Sequence, residues 1–388
     1  MDFACKHLAR AAILGAGIGL SVVGATTAHA FGPINIVAFA QTNLVSNVPG
    51  VAPVTDPALI DPRGMAFFGV GFFWMADAGN GTASLYGGGG QTFPDSPLVP
   101  GPASAPAGSR STPSDIVANL EGPFFALFNG QFLNSNFIFV TEDGVIDAWN
   151  QTEFGTAVVV VDNSASGALY KGVAIAQAKT TTFTSTITPG FTTPAFTSIY
   201  ATNFRAGTVD MFGSFFEPVT PTGGFVDNQI PPGFAPFGIR EINGELWVTY
   251  ALQDAARATD VPGVGNGFVD VFDGDGNLLR RFAAHTGLNS PWDIARAPFG
   301  FGQFAADILV ANHGDGTISV FDNFGAFLGK LRTANGQVLT IPGLWGLSPG
   351  GALFSTAEDL YFSAGPNRGT DGLFGKISAV SLIPPTLP

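Results

Sequence analysis

The string Tyr-Ala-Thr-Asn-Phe-Arg-Ala-Gly-Thr-Val-Asp-Met-Phe at 200–212 constrains the fold more than any other stretch. A β-prone run meets a polar turn with glycine, and a second alternating run leads away. Lys171-Gly172-Val173-Ala174 precedes it. Related blocks begin at Arg63-Gly64-Met65, Asp115-Ile116-Val117, Phe237-Gly238-Ile239, Trp292-Asp293-Ile294 and Trp345-Gly346-Leu347. The copies stand about 50–65 residues apart, room for four short strands each, and a unit of that size cannot bury both its faces alone. Six copies predict an all-β fold, a six-bladed β-propeller. Copy six has little chain left for a fourth strand, so the alternating run Ile34–Val48 is expected to supply it and close the ring. Closure removes the sheet edges that would otherwise recruit other chains. Inward and outward residues are expected to alternate along every third strand, as in Thr208–Phe212. Residues Gly87–Pro113 read as loop.

The N-terminus reads as a secretory leader. Lys6 and Arg10 precede an apolar run from Ala11 to Val23, and Ala28-His29-Ala30 fits a cleavage signal, giving 1–30 as signal peptide and 31–388 as one propeller domain. The product is expected to be secreted or periplasmic, with no membrane span after cleavage. Cys5, the only cysteine, lies in the leader, so neither disulfide nor thiolate chemistry is expected of the rest. A net charge of −13 argues against nucleic acid as a partner. Charged residues make up only 12% of the chain, against 52 glycines and 28 prolines, a balance that suits short strands and tight turns.

The blocks resemble the NHL and SMP-30-like six-bladed propellers in layout. Asn43–Asn47, Tyr170–Ala174, Tyr200–Asp210, Gly265–Asp273 and Leu344–Leu347 are similar, across nearly the whole mature chain, to an uncharacterised family of exported bacterial proteins. That resemblance implies the fold and no reaction. Members often end in a Pro-Glu-Pro sorting tail; none stands before Pro388, so surface anchoring is not carried over.

In a propeller, the loops entering the first strand and leaving the second share one face around the channel, and such loops carry function. Residues at the first position are Arg63, Ser114, Lys171, Phe237, Trp292 and Trp345. At the second they are Asp77, Glu142 with Asp143, Asn203 with Arg205, Tyr250, Asn312 with His313, and Ala364. Arg63, Lys171, Arg205, Phe237, Trp292 and Trp345 are candidate ligand contacts; the aromatic ones equally suit packing between blades. Asp77, Glu142, Asn203 and Asn312 are oxygen donors that suit Ca²⁺ if they converge, as in the SMP-30-like lactonases. The same residue types also open turns by accepting backbone N–H bonds. His313 is a candidate general base, with Asp315 or Asp293 beside it, and Asp143 is a second candidate. Asp273-x-Asp275-x-Asn277 lacks the later positions of a calcium loop and reads as a hairpin turn. No complete catalytic motif is present. The leading expectation is a propeller that binds a small molecule, glycan or protein through its channel face. A Ca²⁺-dependent lactonase- or esterase-like hydrolase is the alternative.

Overall fold

A computed structural model describes residues 37–68, 71–94, 96–120, 122–152, 155–178, 196–351 and 353–382. The leader read at 1–30 lies outside them. Six four-stranded antiparallel units stand around a channel, with strands A to D counted outward. The A strands are Pro62–Phe68, Pro113–Ala118, Tyr170–Ala178, Phe234–Ile242, Pro291–Arg296 and Leu344–Pro349. The sheet is therefore the six-bladed propeller that the repeat requires.

The ring closes as the orphan strand suggested. Val37–Ser46 pairs antiparallel with Leu373–Ser381, from Val37 opposite Ser381 to Ser46 opposite Leu373, and forms strand D of blade 6. Val45 is fully buried, and the Phe39 ring lies 5.0 Å from that of Phe301. Val54–Thr55 adds a short parallel strand outside it. The first and last described strands thus share one sheet and close the ring.

Each joint between blades carries its own apolar cluster. Ala66, Trp74 and Phe139 fill the joint of blades 1 and 2, and Tyr170, Val173 and Ile146 that of 2 and 3. Tyr200 with Ile239 joins 3 to 4, Val271 with Ile294 joins 4 to 5, Val320 with Leu347 joins 5 to 6, and Met65 with Tyr361 joins 6 to 1. This arrangement corrects the expected exposure pattern of the third strands. Val145–Trp149, Phe268–Phe272 and Thr317–Phe321 are buried at every position, because alternate side chains enter two different joints. Gly87–Pro113 also differs from the expected loop. Thr92–Phe93 in it is strand D of blade 1, and Leu98 bridges Thr82 and Thr156. Blade 2 carries an added hairpin, Phe125–Phe128 with Gln131–Asn134, between strands A and B. The Asp273 turn is a hairpin as read: its Oδ1 accepts from the Asp275 and Asn277 amides.

The channel narrows at one level of the A strands, occupied by Gly64, Asp115, Gly172, Gly238, Asp293 and Gly346. Four glycines let the blades approach. A Cβ on Gly238 would sit 1.8 Å from the Trp292 carbonyl oxygen, and one on Gly64 would sit 2.1 Å from Asp115 Oδ1. The two aspartates, three blades apart, tie their blade to the next. Asp115 Oδ2 accepts from the Val173 amide at 2.9 Å, and Asp293 Oδ2 from the Leu347 amide at 2.7 Å. Hydroxyls make the matching links elsewhere. Thr202 donates to the Phe237 carbonyl at 3.0 Å, Thr249 to that of Trp292 at 3.1 Å, and Ser363 to that of Arg63. Together these bonds fix the backbone that carries the first ring of candidate residues.

Candidate functional site

Three charged groups from blades 1 to 3 meet at the channel face. Arg63 and Lys171 precede the narrow level of blades 1 and 3, and both donate to Glu142 Oε1, Arg63 Nη1 at 2.5 Å. Arg63 Nε also reaches Asp61 at 2.8 Å. The Arg63 and Lys171 side chains are 15% and 6% exposed, whereas Glu142 keeps 25%, so the carboxylate is the member nearest to solvent. Burial disfavours the Glu142 charge, but the two cations outweigh it and hold its pKa down at about 2. Among the described residues, Lys171 contacts that one carboxylate. Burial, with Arg63 nearby, brings its pKa below the usual lysine value.

Aromatic rings form the wall behind these charges. Arg63 lies 5.1 Å from the Trp345 ring centre, and Lys171 lies 5.9 Å and 5.8 Å from Phe204 and Phe237. His313 stacks on Trp345 at 3.6 Å and 19°, and Trp292 meets Trp345 edge-on at 5.4 Å. Trp345 Nε1 donates to Asp61 at 3.3 Å. Phe237, Trp292 and Trp345 are all buried, so they support this wall rather than offer an open stacking face. The loop after strand B of blade 4 covers one side: Gln253 donates to the Phe204 carbonyl, and Asp260 acts electrostatically on Lys171 and His313.

The structure therefore gathers Arg63, Lys171, Glu142, His313 and Trp345, with Phe237 and Trp292 behind them. Arg205 is not part of this group. It donates to the Gly167 carbonyl at 3.1 Å and braces a turn.

The expected oxygen-donor set is not assembled, for a reason of register. The matching residues of the B strands are Asp77, Thr141, Asn203, Tyr250, Asn312 and Ala364, opposite Pro62, Pro113, Tyr170, Pro236, Pro291 and Leu344. Glu142 thus lies one residue beyond the position of Asp77, Asn203 and Asn312. Asn203 Oδ1 accepts from the Ala206 amide, and its Nδ2 donates to Asp210. Asn312 is spent on the Asn289 amide, Gly287, Thr317 and Ser319. These are turn and strand-bracing roles. Among the described residues, no group of three His, Cys, Asp or Glu side chains is placed to hold a metal ion. The next residue along, whose side chain alternates to the other side, supplies Glu142, Phe204 and His313 to the mouth.

Nor does a catalytic pair form around His313. Its Nδ1 lies 3.0 Å from the Leu344 carbonyl, which it meets as donor. Burial lowers its pKa, favouring the neutral ring. Asp315 turns to Thr317 and Lys330, Asp293 to Arg240, and Asp143 to the Thr112 amide. None of these three carboxylates is placed to orient the imidazole as a base.

Two carboxylates nearby are buried without a hydrogen-bond partner, Asp77 and Asp147. Desolvation raises the Asp147 pKa well above the ordinary range, and Asp143 and Asp162 add to it. The folded chain then keeps a proton that the unfolded chain releases above about pH 4. Asp147 therefore lowers stability progressively as pH rises from that point, by up to about 1.4 kcal/mol per pH unit. Asp147→Asn is expected to flatten the decline in melting temperature between pH 5 and pH 8, with little change at pH 4. An unchanged decline would show that Asp147 is ionised at no cost.

No protein-family model matches the sequence. Protein R648 of Acanthamoeba polyphaga mimivirus is 30% identical over 356 residues, covering 89% of this chain and 82% of R648. Protein L690 of the same virus is 28% identical over 359 residues, covering 89% of this chain and 88% of L690. Among solved structures, a streptogramin B lyase superposes with a TM-score of 0.47 at 11% identity, covering 89% of this chain and 98% of the lyase. Regucalcin from Agrobacterium tumefaciens gives 0.41 at 11%, covering 87% and 93%. Both likenesses are too distant to speak to chemistry. The chain belongs to the family of the mimivirus protein R648.

Proposed function

We propose that this propeller is an exported binding protein that takes a small carboxylate with a flat body at the Arg63–Glu142–Lys171 mouth. One observation carries the reading. Two cations from non-adjacent blades, each over an aromatic ring, share one carboxylate, Glu142, that is the most exposed of the three. A ligand carboxylate can take the place of Glu142, with paired donors from Arg63 and one from Lys171. The half-buried His313 ring, backed by the buried Trp345, offers the neighbouring surface to a ring. Export rests on the leader read at 1–30.

Titration calorimetry with benzoate, and with benzamide as the uncharged control, tests the reading. Benzoate is expected to bind saturably and more tightly than benzamide. Lys171→Met is expected to weaken benzoate by about tenfold or more, the effect of one lost charge-assisted bond. Equal binding of the two, or a Lys171→Met variant that binds benzoate as before, would contradict it.

A further inference from the structure

We propose that the opposite mouth of the channel is a second binding site, for an uncharged apolar molecule carrying a carbonyl-type acceptor. This goes beyond the acid site proposed above and shares no residue with it. A cavity of about 440 Å³ opens there, lined by the A strands of blades 1, 2, 4, 5 and 6. That volume lies in the range of small-molecule sites, roughly 300–1,000 Å³. Met65, Ile116, Leu120, Ile294 and Leu347 give it apolar walls.

Its polar end is Arg240. Nε and Nη2 of this side chain are spent on Asp293, at 2.7 Å and 2.8 Å, and Nη1 donates to no described residue. Asp293 is saturated in turn: besides Arg240 it accepts from the Ile294 and Leu347 amides. Asp115 stands close enough to act on both. Burial, opposed by Arg240 and reinforced by Asp293, raises the Asp115 carboxyl to a pKa of about 7.

Arg240 is bonded to Asp293 and faced by Asp115, and Arg296 on the lining is matched there by Glu241, so the charges leave no net attraction for an anion. A cation would meet Arg240 directly, with Arg296 also on the lining. What remains is one N–H donor at the end of an apolar cavity. That combination selects a neutral molecule with an acceptor oxygen.

The test uses the neutral naphthyl ketone Prodan, whose emission shifts to the blue in apolar surroundings, with anilinonaphthalene sulfonate as the anionic control. Prodan is expected to bind saturably, one per chain, and at least several-fold more tightly than the sulfonate. Ala118→Trp, at a half-buried lining position beside the joint of blades 1 and 2, is expected to abolish binding. Leu120→Asp, at a rim residue 61% exposed, keeps the test decisive if the tryptophan variant misfolds, and is expected to weaken binding several-fold. Lys171→Met should leave Prodan binding unchanged, which separates this site from the acid mouth. Absence of saturable binding, indifference to both lining substitutions, or tighter binding of the sulfonate would overturn the proposal.

Discussion

Removal of residues 1–48 is expected to abolish the folded propeller rather than weaken it. The deleted segment contains Val37–Ser46, the outer strand of blade 6, which pairs along the length of Leu373–Ser381. Its loss strips Phe39 from Phe301 and Phe304, and Leu44 and Val45 from the joint of blades 6 and 1. It also leaves Leu373–Ser381 as an open edge, which invites pairing with other chains. The shortened chain should be recovered as aggregate, without a cooperative melting transition. A monomeric product that melts cooperatively, within a few degrees of the full chain, would show that the ring closes without this strand.

Asp293→Ala is the point substitution with the largest expected effect. It strands the buried Arg240 guanidinium and removes the acceptor of the Leu347 amide, so it cuts a charge pair and a link between blades 5 and 6 at once. Removing one partner of a buried ion pair typically destabilises by about 3–5 kcal/mol. In a chain of this size that corresponds to a fall in melting temperature of about 4–7 °C. Arg240→Leu added to Asp293→Ala is expected to recover part of the loss, because no unpaired cation then remains. Calorimetry of both variants measures this. A melting temperature within about 2 °C of wild type for Asp293→Ala alone would mean that the pair contributes little to holding the channel wall.

The repeat made the ring legible because each copy pairs a Gly- or Asp-apolar segment with a β-hairpin, and that unit has few ways to bury itself. The closing strand was legible for the same reason: Ile34–Val48 alternates but belongs to no copy. The outer strand of blade 1 was hidden because Thr92–Phe93 is only two residues long, inside a Gly- and Pro-rich segment. The hairpin at Phe125–Asn134 lies between two strands of one copy, where the repeat carries no signal.

At the site, Arg63, Lys171, Phe237, Trp292 and Trp345, from the ring ahead of the narrow level, lie together. The second ring was misread by one residue. Asp77, Asn203 and Asn312 look like ligands because they carry oxygen, yet Asn203 and Asn312 spend their polar atoms on neighbouring turns and strands, and Asp77 is buried away from the mouth. Alternation along a strand sends the following side chain toward the mouth. Aligning Glu142 and His313 on that basis would have found Phe204, which lies at the same offset after Asn203. Asp61 and Asp260 carried no comparable signal, since both lie in segments outside the repeated blocks.

The affinity of benzoate for Glu142→Gln tests the central claim most directly. If Glu142 holds the place of a ligand carboxylate, its amide frees Arg63 and Lys171, and benzoate should bind about tenfold more tightly, the shift expected from roughly 1.4 kcal/mol. If the three charges are only a plug that braces the mouth, Glu142→Gln should bind benzoate no better than wild type, and that result would contradict the account.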